Sequence, residues 1–136
     1  MNVLVLYQDE PKDADAAISK LSEAGHTLQR ARVDTVLNGS EQLEPIDAVI
    51  VFSEIYREDE TYAACRQLRE MDALRKTPLL VAVNMYQMPL ANRVKAMPNA
   101  HFIFTPIDAE DLQGRLRMLA EKSEEQPGQA GIEKGE

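Results

Sequence analysis

The chain has 136 residues, 44% of them hydrophobic, a single cysteine and a net charge of -8. That length is one domain's worth, and a chain of this size buries roughly two thirds of its unfolded surface, so it needs no metal or disulfide staple. The charge opposes contact with nucleic-acid phosphates. No apolar run approaches the roughly 20 residues that span a bilayer, and the start, Met1-Asn2-Val3-Leu4, lacks the basic region and long apolar stretch of a signal peptide. The expectation is a cytoplasmic protein with no nucleic-acid or membrane partner, and Cys65, unable to make an internal disulfide, fits a reducing compartment.

Val3–Tyr7 is an unbroken apolar run of strand length, the pattern of a strand covered on both faces. After the polar loop Gln8–Lys12, residues Asp13–Ala24 have helical spacing, with Ala14, Ala17, Ile18 and Leu21 on one face, and Gly25 is placed to end the helix in a left-handed conformation. Thr27–Val33 reads as a second strand whose Gln29, Arg30 and Arg32 suit an exposed sheet edge. Thr35–Glu44 contains the turn Asn38-Gly39-Ser40, so any helix there is short. Ile46–Phe52 is a second buried strand, Glu58–Leu74 a helix with Ala64, Cys65, Leu68 and Met71 on one side, and Pro78–Val83 a third buried strand. Leu90, Val94 and Met97 predict a helix after Pro89, Phe102–Phe104 a short last strand, and Asp108 an N-cap for a helix carrying Leu112, Leu116 and Leu119. Residues 123–136 have no apolar face; Glu124–Glu136 alone hold four Glu and one Lys, -3 of the -8, and are expected to be disordered. The division expected is a domain over 1–122 and an acidic tail over 123–136. Five βα repeats with short connections predict a three-layer α/β domain, a doubly wound parallel five-stranded sheet with helices on both faces.

Four segments in order carry a resemblance. Tyr7-Gln8-Asp9-Glu10-Pro11 resembles the opening of the receiver domain of two-component response regulators, where a strand runs into paired acids. Ile46–Phe52 resembles the segment that ends in the phosphoacceptor Asp. Thr77–Asn84 is similar to the fourth receiver strand, which ends in Thr or Ser, and Phe102–Asp108 to the fifth strand with its Lys-Pro loop. The resemblance covers residues 2 to 122 and implies the flavodoxin-like receiver fold. Along it the functional positions fall on Gln8 and Asp9 for the acidic pair, Phe52 for the acceptor (Ser53 if the alignment shifts by one), Val83 for the hydroxyl and Thr105 for the Lys, with Phe102 at the aromatic switch position. Of the five, Asp9 alone keeps the usual type. Phosphoryl transfer needs a positioned nucleophile and strong charge neutralisation. Phe52 offers no nucleophile, Val83 no hydroxyl and Thr105 no positive charge.

The remaining candidates are weighed against ordinary roles. Asp9, Glu10 and Glu54 are weak Mg²⁺ ligands, better read as solvated loop acids because Mg²⁺ demands near-ideal octahedral ligands. No metal and no cofactor are expected. Ser53 has no identifiable base to activate it. His26 and His101 lie in no ligand spacing, and Cys65 on an apolar helix side reads as packing. Met85, Tyr86 and Met88 are adaptable or aromatic side chains at a loop and helix start, and adaptable Met favours protein contacts. The resemblance makes the fourth helix, fifth strand and fifth helix the output face, giving Met85, Tyr86, Met88, Arg93, Phe102 and Arg115 as exposed partner residues. The expected function is a phosphorylation-independent signalling or scaffold domain, not an enzyme, that binds another signalling protein or a second copy of itself. The alternatives are a conventional phosphoryl-accepting regulator with a substituted site, which needs an acid at the acceptor position, and a flavodoxin-like cofactor binder. The acids of the first loop would repel that binder's phosphate.

Overall fold

The computed structural model describes residues 1–8, 15–40, 43, 45–53, 57–105 and 107–129, with the backbone alone at 15–17 and 120–129. The elements are β1 (Asn2–Tyr7), α1 (Asp15–Glu23), β2 (Thr27–Arg32), α2 (Val33–Leu37), β3 (Ala48–Phe52), α3 (Glu58–Glu70), β4 (Leu79–Val83), α4 (Met88–Lys95), β5 (Ala100–Phe104) and α5 (Ala109–Gln129). Short 3₁₀ turns precede β4 (Asp72–Leu74) and α4 (Met85–Gln87).

All four strand pairings are parallel, in the order β2-β1-β3-β4-β5. Successive side chains on a strand point to opposite faces, and the apolar runs supply both. Leu4, Leu6, Val49, Val51, Leu79, Val81 and Val83 pack with residues of α2, α3 and α4, including Val36, Leu68, Leu90 and Val94. Val3, Val5, Ile50, Phe52, Leu80 and Ile103 pack with Ile18 and Leu21 of α1 and Leu112, Leu116 and Leu119 of α5. Five parallel strands in one sheet with two helices on one face and three on the other are the flavodoxin-like, doubly wound architecture expected from the alternation.

Local signals account for the ends of several elements. Gly25 has φ +98°, and His26 N–H returns to Leu21 O at 3.1 Å, closing α1 through a left-handed residue. Asp108 accepts from Asp111 N–H at 3.0 Å at the start of α5. β2 lies at a sheet edge, as its polar residues predict. Other limits differ from expectation. α3 ends at Glu70 because Met71 is extended (ψ 133°), and Leu74 belongs to the following 3₁₀ turn. Val33 opens α2 instead of ending β2. β5 begins two residues earlier, at Ala100. The helix of α5 continues past residue 122 to Gln129, so the first part of the segment expected to be disordered has a helical backbone; residues 130–136 lie outside the described residues, as does Ala14.

Candidate functional site

In a doubly wound sheet the ligand crevice lies beyond the strand C-termini, where the winding reverses. Here the reversal falls between β1, whose first connection leads to β2 at one edge, and β3, from which the chain proceeds to β4 and β5 at the other. Gln8 follows β1 and Ser53 follows β3, so both sit at this point, with Val83 ending β4 and Thr105 following β5.

The side chains there are occupied with one another. The Thr61 hydroxyl, on the first turns of α3 and buried, lies 3.3 Å from Gln8 Oε1 and 3.0 Å from Arg57 O. The Ser53 hydroxyl lies 2.7 Å from Ala82 O and 2.8 Å from Gln87 Oε1; its one hydrogen is shared between two acceptors. Phe52 is buried, its ring in the cluster of Val5, Ile18, Ile50 and Leu112. Val83 is fully buried on the opposite face. Thr105 donates its N–H to Val83 O at 2.8 Å, with its hydroxyl 3.4 Å from the same oxygen. Asp9, Glu10 and Glu54 lie outside the described residues. The described residues at these positions supply a neutral carboxamide at Gln8 and a phenyl ring at Phe52, neither of them the carboxylate that usually anchors Mg²⁺. Among the described residues, no three His, Cys, Asp or Glu side chains come close enough to share a metal.

Sequence reasoning did not single out Gln87 or Thr61, the two polar side chains buried among the described residues. The signal for Gln87 was present: Asn84 followed three residues later by Gln is the pattern of a capping box. Asn84 Oδ1 accepts from Tyr86 N–H at 2.8 Å, and Gln87 Oε1 from Asn84 N–H at 2.9 Å.

Of the six residues expected on a partner face, Met85, Tyr86, Met88 and Arg93 are exposed, and Phe102 and Arg115 are half-buried. Met85, Tyr86 and Met88 are 73%, 94% and 40% exposed. Arg93 is tied down, with Nη1 2.9 Å from Asp59 and its guanidinium 3.8 Å above the Tyr62 ring. Phe102 and Arg115 depart from the expectation of exposure. Phe102 is half-buried, stacked on His101 at 5.1 Å and edge-on to Phe104. Arg115 is held by Asp111 and by Phe102 O, the latter 2.9 Å from Nη1. The physical reason differs for the two: β5 is an edge strand, and Arg115 turns towards it to donate to the outward Phe102 O, whereas the Phe102 ring packs against the core cluster of the sheet with α3 and α4.

The other candidates fall away from this site. Burial pushes the Cys65 thiol up to about 12, outweighing the opposing pull of Arg69, so the sulfur is a protonated packing group at neutral pH. His26 Nδ1 lies 3.2 Å from the amino group of Met1; burial, then that positive charge, lowers its pKa. His101 Nδ1 lies 2.9 Å from Phe102 N, 3.0 Å from Phe102 O and 3.2 Å from Arg115 Nη1, contacts within β5 and to α5 and not to the crevice.

No protein-family model and no curated protein matches the sequence. Solved structures do match the fold. A receiver domain from a Bacteroides fragilis response regulator superposes with a TM-score of 0.69 at 16% identity, covering 88% of this chain and 97% of that one. A response regulator receiver protein from Sinorhizobium medicae gives 0.67 at 17% identity, covering 89% and 95%. The receiver domain of a Pseudomonas aeruginosa sensor histidine kinase, solved with a magnesium ion coordinated in its active-site cleft, gives 0.66 at 18% identity, covering 88% and 97%. Among the described residues no helix is long and apolar enough to cross a membrane. The chain has the fold of response regulator receiver domains.

Proposed function

We propose that this chain is a receiver-like signalling or scaffold domain that acts by binding another protein and accepts no phosphoryl group on an aspartate. The observation that carries the reading is Phe52. It ends β3, the position where the resemblance puts the acceptor carboxylate, and its ring is buried in the core between the sheet, α1 and α5. Gln8, Val83 and Thr105 extend the argument, since none supplies the charge or hydroxyl in question. The working face is the segment from Met85 to Met88, where three large apolar side chains stand in solvent in sequence neighbourhood. Large apolar anchors commonly dominate interface energy.

The test uses Mg²⁺ with beryllofluoride, a mimic of the phosphoryl group. A ligand that binds the native state stabilises it by about 2.7 kcal/mol at one hundred times its Kd. The melting temperature is expected to stay unchanged in low-millimolar Mg²⁺, with or without beryllofluoride. A rise of several degrees would mean that Asp9, Glu10 or Glu54 rebuild a phosphoryl site, and would overturn the reading.

A further inference from the structure

Gln87 closes the 3₁₀ turn Met85–Gln87 and leads into α4. Its side chain is 3% exposed, whereas its neighbours Tyr86 and Met88 are 94% and 40% exposed. A carboxamide taken out of water has to find hydrogen bonds at both of its ends, and this one does so on three different elements. Oε1 faces the Ser53 hydroxyl at the end of β3, at 2.8 Å, and accepts from Asn84 N–H at the end of β4, at 2.9 Å. Nε2 donates to Glu58 Oε2 in the first turn of α3, at 3.3 Å. With one side chain of the turn directed inward and the residues on either side of it outward, the rotation of the turn about its own axis is fixed. A second fastening lies further along α4, where Arg93 reaches Asp59 at 2.9 Å and covers the Tyr62 ring of α3. Two attachments to α3, one at the turn just before α4 and one within α4, constrain both its position and its rotation.

We propose that Gln87 is a positioning residue, a bolt between β3, β4 and α3 that holds the Met85–Met88 segment in a single orientation with Tyr86 outward. The consequence for partner binding rests on the reading of that segment as the working face; the bolt itself is tested with no partner present. The experiment compares the full chain with Gln87→Met, which keeps the length of the side chain and removes its polar atoms, and with Ser53→Ala, which removes one of its donors. Amide hydrogen exchange and ¹⁵N relaxation dispersion are read at residues 84–88, with Val5 and Ile50 in the central strands as internal references. In the unsubstituted chain residues 84–88 are expected to show no microsecond-to-millisecond exchange. In Gln87→Met the amides of Asn84 and Tyr86 should exchange at least about tenfold faster through local opening, and Tyr86 and Met88 should acquire dispersion while Val5 and Ile50 do not change. Ser53→Ala should move the same residues in the same direction by less. The proposal is overturned if residues 84–88 stay as protected and as quiet in Gln87→Met as in the unsubstituted chain, or if protection falls equally at Val5 and Ile50. Should Gln87→Met not fold, a quiet segment in Ser53→Ala overturns it. A segment set in motion by Gln87→Met with undiminished binding of a partner supports the bolt and contradicts the proposed working face, so the two ideas fail separately.

Discussion

Arg69 illustrates how much of this structure depends on single polar side chains placed far from any chemistry. Its Nη1 lies 3.1, 3.1 and 2.6 Å from the carbonyl oxygens of Leu74, Arg75 and Thr77, and its Nη2 is 3.2 Å from Asn99 O. One guanidinium therefore collects the carbonyls of the two turns that lead into β4 and β5. Its Nε is buried without a partner, and burial lowers its pKa, although an arginine remains charged at neutral pH. Arg69→Leu should lower stability by about 2–4 kcal/mol, because several carbonyls lose a charged donor at once; the urea midpoint should fall with little change in the slope. A midpoint within error of the original would mean that water replaces the guanidinium at no cost. Cys65, one helical turn earlier, gives a second expectation. Its thiol pKa is raised from 9.0 to about 12 chiefly by burial. The unfolded chain therefore loses this proton first, and the contribution to stability is complete below pH 9.0 and is lost as pH rises towards 12. At neutral pH an aromatic disulfide reagent should modify Cys65 at a rate set by opening of the fold, and rapid stoichiometric labelling of the native chain would contradict its burial.

At the scale of elements, the legibility of the sequence followed burial. β1, β3 and β4 are covered on both faces, so they are unbroken apolar runs in the sequence and were found within about two residues of their ends. The apolar run of β5 covers Phe102–Phe104 alone because an edge strand carries polar residues, here His101, that break the run. The spacing carries α3 on to Leu74 since Met71 and Leu74 keep the apolar periodicity and still pack on the same core after the helix has ended. Gln87 escaped notice for the converse reason: a glutamine in a loop reads as solvated, and its burial depends on Ser53 and Glu58, which are distant in sequence. The edge of β5 carries a prediction of its own. Phe102 N–H faces His101 Nδ1 and Phe102 O accepts from Arg115, so both backbone groups at the midpoint of this edge are filled by side chains. An open edge is a template for pairing with another chain. The double substitution His101→Ala with Arg115→Ala should increase self-association in sedimentation velocity at high concentration. If association is no greater than in the unsubstituted chain, the two side chains do not protect the edge.

For the whole molecule, the question is how a domain of receiver fold works if, as proposed, it takes no phosphoryl group. A ligand shifts a two-state equilibrium only through its different affinity for the two states. A domain that accepts no phosphoryl group, as proposed above, lacks that lever and is expected to present one face at all times; the burial of Phe52 and the contacts of the Ser53 hydroxyl with Ala82 O and Gln87 Oε1 support that reading. Replacing Tyr86 and Met88 together by Ala should leave stability within about 0.5 kcal/mol, as is usual for exposed positions, and weaken association with a partner, whereas Asp9→Asn should leave association intact. The reverse pattern would move the working face to the acidic loop. The sequence alone places Gln8, Phe52, Val83 and Thr105 at the positions the resemblance implies, whereas the hydrogen bonds that occupy Gln8 and Ser53 required the fold. The most direct test of phosphorylation independence is the intact mass of the chain after incubation with acetyl phosphate and Mg²⁺. The unmodified mass is expected throughout; a stoichiometric phosphoryl adduct would show that the chain holds a working acceptor.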